Sequence, residues 1–229
     1  MTFRGPALGI LGGTFNPIHI GHLRAAEEVA ELFGLEKVIF IPAARPPHKK
    51  PAPVVDFRHR LAMVKIAAAD RPGFVASDLE GQREGPSYTV ETLRCLLDEF
   101  GPAARLFFLT GLDSFLAIET WKDFRHLFEL TDFVVFTRPG ADIEPLGTTI
   151  REKISPDYLW NEAPAAYQSP TLKTIFFRPV TMIDVSSTRI RELIGQGRSI
   201  RFLLPEKVRR YIIKNNLYQE PRKKGNEIK

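Results

Sequence analysis

The chain has 229 residues, long enough to bury a sizeable core, and its 44% hydrophobic and 26% charged residues are those of a globular protein. No uncharged apolar run approaches the length that crosses a bilayer, which excludes a membrane-spanning helix; the lone Cys95 excludes an internal disulfide and suits a reducing cytoplasm. The net charge of +5, from 32 basic and 27 acidic residues, lies partly in the C-terminal PRKKGNEIK; with no aromatics interleaved for base stacking, the run weighs toward a solvated tail and polyanionic small ligands rather than nucleic acid.

Short β-branched and aromatic runs alternate with helical patterns, which predicts βαβ units and an α/β fold with a doubly wound parallel sheet. ALGIL (7–11) ends at two glycines, too short for a secretory signal, and is expected to be the first strand. A helix follows over about 21–33, with Gly34 as its C-cap. Next come a strand KVIFIPA, a Pro-rich loop RPPHKKPAP, a helix DFRHRLAMVKIAAAD and a strand FVASD. SYTVETLRCLLDEF reads as a helix with Ser87 as N-cap and Gly101 as stop, followed by a strand RLFFLTG. A short helix around Trp121 to Phe128 leads to a strand DFVVFTRPG. From Gly140 to Leu172 the pattern weakens, then KTIFFRPV reads as a strand, residues 188–194 as a helix, and PEKVRRYIIKNN as a last helix opening at Pro205. Residues 1–218 are expected to form a single domain with an insertion-like segment at about 140–172 and a C-terminal helical segment, and 219–229 a basic, flexible tail. The sequence leaves self-association as a homo-oligomer open.

The unusual polar residues fall after strands: GGTFNP, ARPPHKK, TGLDS, TRPG and DVSST. In a doubly wound sheet these loops share the carboxyl edge, where ligands bind near the switch in strand order. Gly12 and Gly13 let a phosphate approach the main chain of a turn that leads to a helix N-terminus. His19 and His22 are three apart, which in a first helical turn puts both imidazoles on one face, with Gly21 leaving room between them. Two metal ligands would share that spacing, but no third ligand follows at a zinc-like interval, so no protein-held metal is expected. In VSSTRIRE, Ser187 and Thr188 stand where a helix begins, offering donors to an anion. Arg191 shares a face with Thr188, whereas Arg189 points about 200° away from Arg191 and reads as solvated. A plain capping run would look the same. His48 and Lys49 of the Pro-rich loop could reach triphosphate oxygens.

No paired carboxylates, Ser-His-Asp set or activated cysteine is evident, and phosphoryl chemistry needs none, because a phosphate monoester with a second pKa near about 6 is already an anionic nucleophile. In-line positioning plus charge stabilisation by His19, His22, Lys49, Arg191 and a Mg²⁺ arriving with ATP would suffice.

GGTFNPIHIGH together with VSSTRIR resembles the HxGH nucleotidyltransferases, which share a Rossmann-like mononucleotide-binding fold with class I aminoacyl-tRNA synthetases, enzymes longer than this chain. PPHKK, REGPSYTVETL, TGLDSF, ETW, FTRPG and VSSTRIRELI, in that order, are similar to the bacterial nicotinate-nucleotide adenylyltransferase family. The resemblance spans most of residues 7–218 and implies ATP plus nicotinate mononucleotide giving nicotinate adenine dinucleotide and pyrophosphate, a step toward NAD. It places Gly12, Gly13, Thr14, Phe15, Lys49, Ser187 and Thr188 at ATP, with His19, His22 and Arg191 in catalysis. It places Thr89, whose backbone N–H would receive the nicotinate carboxylate, Trp121, which would stack on the pyridine ring, and Asp113, near a ribose, at the nucleotide acceptor. From the residues alone, Trp121 reads equally as a core aromatic and Asp113 as a helix cap. A preference for nicotinamide mononucleotide, and an inactive nucleotide-binding module of the same fold, stay open at this point.

Overall fold

The computed structural model describes residues 5–46, 54–137 and 144–219. In chain order they form β1 (Ala7–Gly13), α1 (Ile20–Phe33), β2 (Lys37–Pro42), α2 (Phe57–Ala68), β3 (Phe74–Ala76), α3 (Thr89–Phe100), β4 (Arg105–Gly111), α4 (Leu112–Leu116) and a 3₁₀ turn (Ile118–Thr120). They continue with α5 (Phe124–Leu130), β5 (Asp132–Thr137), α6 (Glu144–Lys153), β6 (Leu159–Asn161), β7 (Ala166–Gln168), β8 (Ile175–Pro179), α7 (Ser187–Gly195) and α8 (Glu206–Lys214).

One eight-stranded sheet has the order β3-β2-β1-β4-β5-β8-β7-β6. The six strands from β3 to β8 pair in parallel, so all six end at the same edge. The order reverses between β1 and β4. Parallel strands covered on both faces must be apolar on both, which is why ALGIL, VIFI and LFFL read as continuous runs. Successive side chains then go to opposite layers. Val38, Phe40, Phe107 and Leu109 pack with α1, α2, α7 and α8, while Ile39, Ile41, Leu106 and Phe108 pack with α3, α4, α5 and α6. No helix among the described residues is long and apolar enough to cross a membrane.

Three details depart from the sequence reading and a fourth fills it in. First, the sheet is mixed, because β7 pairs antiparallel with β8 and β6 with β7. Residues 144–172, where the pattern weakens, supply α6 and these two strands; Ile150, Tyr158 and Tyr167 bury against the core, and the Tyr158 hydroxyl donates to the Lys173 carbonyl at 2.6 Å. Second, α3 is capped by Tyr88, not Ser87. Ser87 instead exchanges two hydrogen bonds with Arg45: its N–H donates to the Arg45 carbonyl at 3.0 Å and its hydroxyl accepts from the Arg45 N–H at 3.1 Å. Third, Trp121 is extended (φ −84°, ψ 144°) between the 3₁₀ turn and α5, outside any α-helix. Fourth, Asn16–Pro17 is a cis peptide in an irregular lead-in, and α1 begins at Ile20 with His19 as its N-cap. The expected C-cap holds: Gly34 is left-handed at φ 61° and donates to the Ala30 and Glu31 carbonyls.

Candidate active site

The loop leaving β1 is held from behind. The Thr14 carbonyl accepts from Arg60 Nη1 at 2.8 Å, the Asn16 carbonyl from Arg191 Nη1 at 2.8 Å, and the Pro17 carbonyl from Ser187 Oγ at 2.7 Å. Asn16 is buried and its Oδ1 accepts from the Val55 N–H at 3.3 Å, joining this loop to the far end of the Pro-rich loop. Gly12 is exposed where β1 ends and Gly13 is half-buried, with the Gly13 carbonyl accepting from the Ala43 N–H. The Phe15 ring is buried, edge-on to His22 at 5.1 Å and beside Phe40, so what it can offer a ligand is its main chain. Its φ of 46° is uncommon for a bulky residue, and such backbones persist where surroundings over-determine them.

At the start of α1 the two imidazoles lie with centroids 3.7 Å apart and planes inclined at 31°. A Cβ at Gly21 would come within 3.2 Å of both His19 Nδ1 and the Val185 side chain, so only glycine leaves this packing undisturbed. His22 Nδ1 accepts from the His19 N–H at 3.3 Å, which makes Nε2 the protonated, donating nitrogen of the neutral ring. His19 is 8% exposed, its Nδ1 has no side-chain hydrogen-bond partner, and burial pushes its pKa down to about 4. A neutral His19 is therefore a dipole and hydrogen-bonding group near pH 7, which corrects its expected place among the cationic groups.

α7 brings the second motif to the same place. Ser186 caps the helix by accepting from the Arg189 N–H at 3.1 Å. Ser187 spends its hydroxyl on Pro17, so its contribution to an anion is restricted to the helix start. Arg191 Nη2 also contacts Thr188 Oγ1 at 3.2 Å, as a shared face requires, whereas Arg189 is exposed and pairs with Glu192.

The expected acceptor residues lie on the other layer. Thr89 is the first residue of α3, and its turn carries Glu91, whose carboxylate meets Lys122 Nζ at 2.8 Å, next to Trp121. Lys122 also sits 4.5 Å from the Tyr88 ring centroid. Trp121 is half-buried, edge-on to Phe108 at 5.8 Å, and Phe108 lies 3.7 Å from where a side chain at Gly12 would start. Trp121 thus leans on the core with one side and keeps surface on the other, near the end of β1. Asp113 is exposed in the first turn of α4, whose N-cap is Gly111, so the capping alternative does not hold. Lys49 lies outside the described residues.

Two features were invisible in the sequence. Arg60, 2% exposed, gathers four carbonyls beneath the site. Beside α3, buried Glu80 accepts from the Thr92 hydroxyl at 2.8 Å, and that oxygen accepts from Arg83 at 2.7 Å, bracing the turn that carries Thr89. A charged residue in a helix or a polar loop reads as solvated unless its burial is known. Among the described residues no group of three or more His, Cys, Asp or Glu side chains is placed to hold a metal ion.

A family model described as Cytidylyltransferase-like matches residues 10–193. A Syntrophotalea carbinolica protein named "Probable nicotinate-nucleotide adenylyltransferase" is 45% identical over 212 residues, 93% of this chain and 97% of that protein. A Desulfatibacillum aliphaticivorans protein of the same name is 46% identical over 217 residues, 92% of this chain and 99% of that protein. Among solved structures, Plasmodium falciparum nicotinic acid mononucleotide adenylyltransferase complexed with NaAD shares the fold at a TM-score of 0.70 and 20% identity, over 93% of this chain and 97% of that one. With both layers, the strand order and the HIGH and VSSTRIR loops in place, the chain belongs to the Cytidylyltransferase-like family and, within it, to the nicotinate-nucleotide adenylyltransferases.

Proposed function

We propose that the chain transfers the adenylyl group of ATP to nicotinate mononucleotide, releasing pyrophosphate and forming nicotinate adenine dinucleotide in NAD biosynthesis. The observation that carries this reading is the joint between the two motifs: Arg191 and Ser187 of α7 bond to the carbonyls of Asn16 and Pro17, just before the histidine pair. That joint sets a guanidinium, a helix start and two imidazoles around one loop at the edge where the sheet reverses.

In the reaction an ionised oxygen of the acceptor phosphate forms a bond to the α-phosphorus as the bond from that phosphorus to the pyrophosphate oxygen breaks. No side chain has to remove a proton. Gly12 and Gly13 let phosphate come close to the main chain, with Thr14 and Phe15 contributing backbone. The start of α7, with Ser187 and Thr188, and the N–H donors that Arg191 has beyond its two contacts receive the triphosphate. His22 Nε2 donates to charge that grows in the transition state, and His19 backs it as a neutral partner. Lys49 belongs to the same set. Mg²⁺ enters with ATP, bound by its phosphates, a mode that needs few protein carboxylates. At the other end the first turn of α3 at Thr89 offers a backbone donor and a favourable dipole to the nicotinate carboxylate, Trp121 supplies the ring face, and Asp113 a ribose contact. Residues 1–218 act as one catalytic unit in the cytoplasm, with ATP and nicotinate mononucleotide as partners.

The test is pyrophosphate release by purified protein with ATP, Mg²⁺ and each acceptor in turn. Release with nicotinate mononucleotide, well above that with the nicotinamide analogue, is expected. Silence with both would remove the reading.

A further inference from the structure

Arg60 projects from α2 into the core side of the helix, among Met63, Val64 and Ala67, and is 2% exposed. A buried guanidinium normally pairs with a carboxylate. Among the described residues none is within ion-pair distance of this one. Its fork is taken up by main-chain oxygens instead: Nε donates to Val55 at 2.8 Å, Nη1 to Thr14 at 2.8 Å and to Ala43 at 2.7 Å, and Nη2 to Ala44 at 3.3 Å. These four carbonyls come from three separate segments: the loop after β1, the exit of β2 and the entry to α2. The latter two flank the stretch that carries Lys49. Asn16 Oδ1, accepting from the Val55 N–H, closes the circuit back to the first loop.

The placement has an electrostatic consequence. Carbonyl oxygens aimed at a triphosphate would repel it. In a trans peptide the C=O and the following N–H point to opposite sides, so fixing the Thr14 oxygen on Arg60 sends the Phe15 N–H away from the guanidinium, and fixing Ala43 does the same for the Ala44 N–H. Arg191 takes up the Asn16 oxygen as well, although the next residue, Pro17, has no N–H to present. We infer that Arg60 is a positioning residue for the phosphates of ATP: it turns the site's carbonyls inward, presents its amides outward, and ties both ends of the Lys49 stretch to the loop after β1. This rests on the adenylyltransferase reading for the identity of the ligand, while the bracing of the loop stands apart from it. A lysine could not replace Arg60, since one ammonium on a flexible stem cannot bridge three segments.

The experiment uses the full chain with Arg60→Lys, which keeps the charge, and Arg60→Met, which keeps the stem. Near-ultraviolet circular dichroism reads the fold, hydrogen exchange reads the amides of residues 12–16, calorimetry reads ATP binding, and steady-state kinetics read both Michaelis constants. Expected are a native spectrum in at least one variant, faster exchange over 12–16, ATP affinity weaker by about tenfold or more, and a Michaelis constant for the acceptor within about twofold of the parent. Unchanged exchange and ATP affinity would overturn the inference. So would equal weakening for both substrates, or loss of the fold in both variants, each of which assigns Arg60 to the core. If the parent protein turned over no acceptor, the proposed reaction would fall, while exchange and ATP binding would still decide the role of Arg60.

Discussion

His19 and His22 show how two like side chains, three residues apart, acquire different chemistry from their surroundings. Burial holds the His19 pKa at about 4, against about 6.5 for the free side chain, so between those values the unfolded chain binds a proton that the folded chain does not. The contribution of His19 to stability is therefore complete above about pH 6.5 and falls as the pH drops toward 4, by roughly 3 kcal/mol in all. Urea midpoints at pH 7 and pH 4.5 should diverge more for the parent than for His19→Asn; equal divergence would show that His19 does not titrate in this way. Replacing His22 with Ala removes the Nε2 donor, and turnover should drop by about a hundredfold or more with the melting temperature little changed. Normal turnover would reassign that imidazole. The pair itself was legible in the sequence, because a spacing of three brings the N-cap, His19, and the third helical residue, His22, to the same side of the first turn. Their separate charge states were not, and neither was the role of Arg60, because burial is set by segments distant along the chain.

Elements matter here through the ties between them. α7 is bound to the loop after β1, and α3 is bound to the Trp121 connector by the Glu91–Lys122 pair, with Arg83 and Glu80 behind it. Trp121→Ala removes a ring that rests on Phe108, and should raise the Michaelis constant for the pyridine nucleotide by about tenfold while that for ATP moves less than about twofold. Parallel shifts of the two constants would return Trp121 to the core. The long central strands and α1, α2, α3 and α8 were legible, since buried parallel strands and amphipathic helices leave continuous or periodic patterns. β6 and β7 were not: each is three residues long, too short to show a period, and their register depends on β8. Ser87 misled for a related reason. A serine ahead of a helical pattern signals an N-cap, but a distant partner, Arg45, had the stronger claim on it.

At the scale of the molecule, the six parallel strands all end at one edge, and the two helical layers divide the site, α1 and α7 on one face, α3 and α4 on the other. The β7–β6 extension lies at the end of the sheet beyond β8, four strands from β1 or about 19 Å at ordinary strand spacing. Damage there should affect folding without affecting chemistry. Tyr158 is fully buried, and Tyr158→Phe leaves the Lys173 carbonyl short of a donor, for a cost of about 1–2 kcal/mol seen as a lower denaturation midpoint. kcat/KM should stay within about twofold of the parent. A selective loss of activity in a variant of parental stability would contradict the separation of that end from the site.

The two margins of the sheet, β3 and β6, are each only three residues long, against seven for β1 and β4. A margin so short presents few unpaired amides and carbonyls to another chain, which blunts edge-to-edge aggregation and leaves little on which a continuous intermolecular sheet could grow.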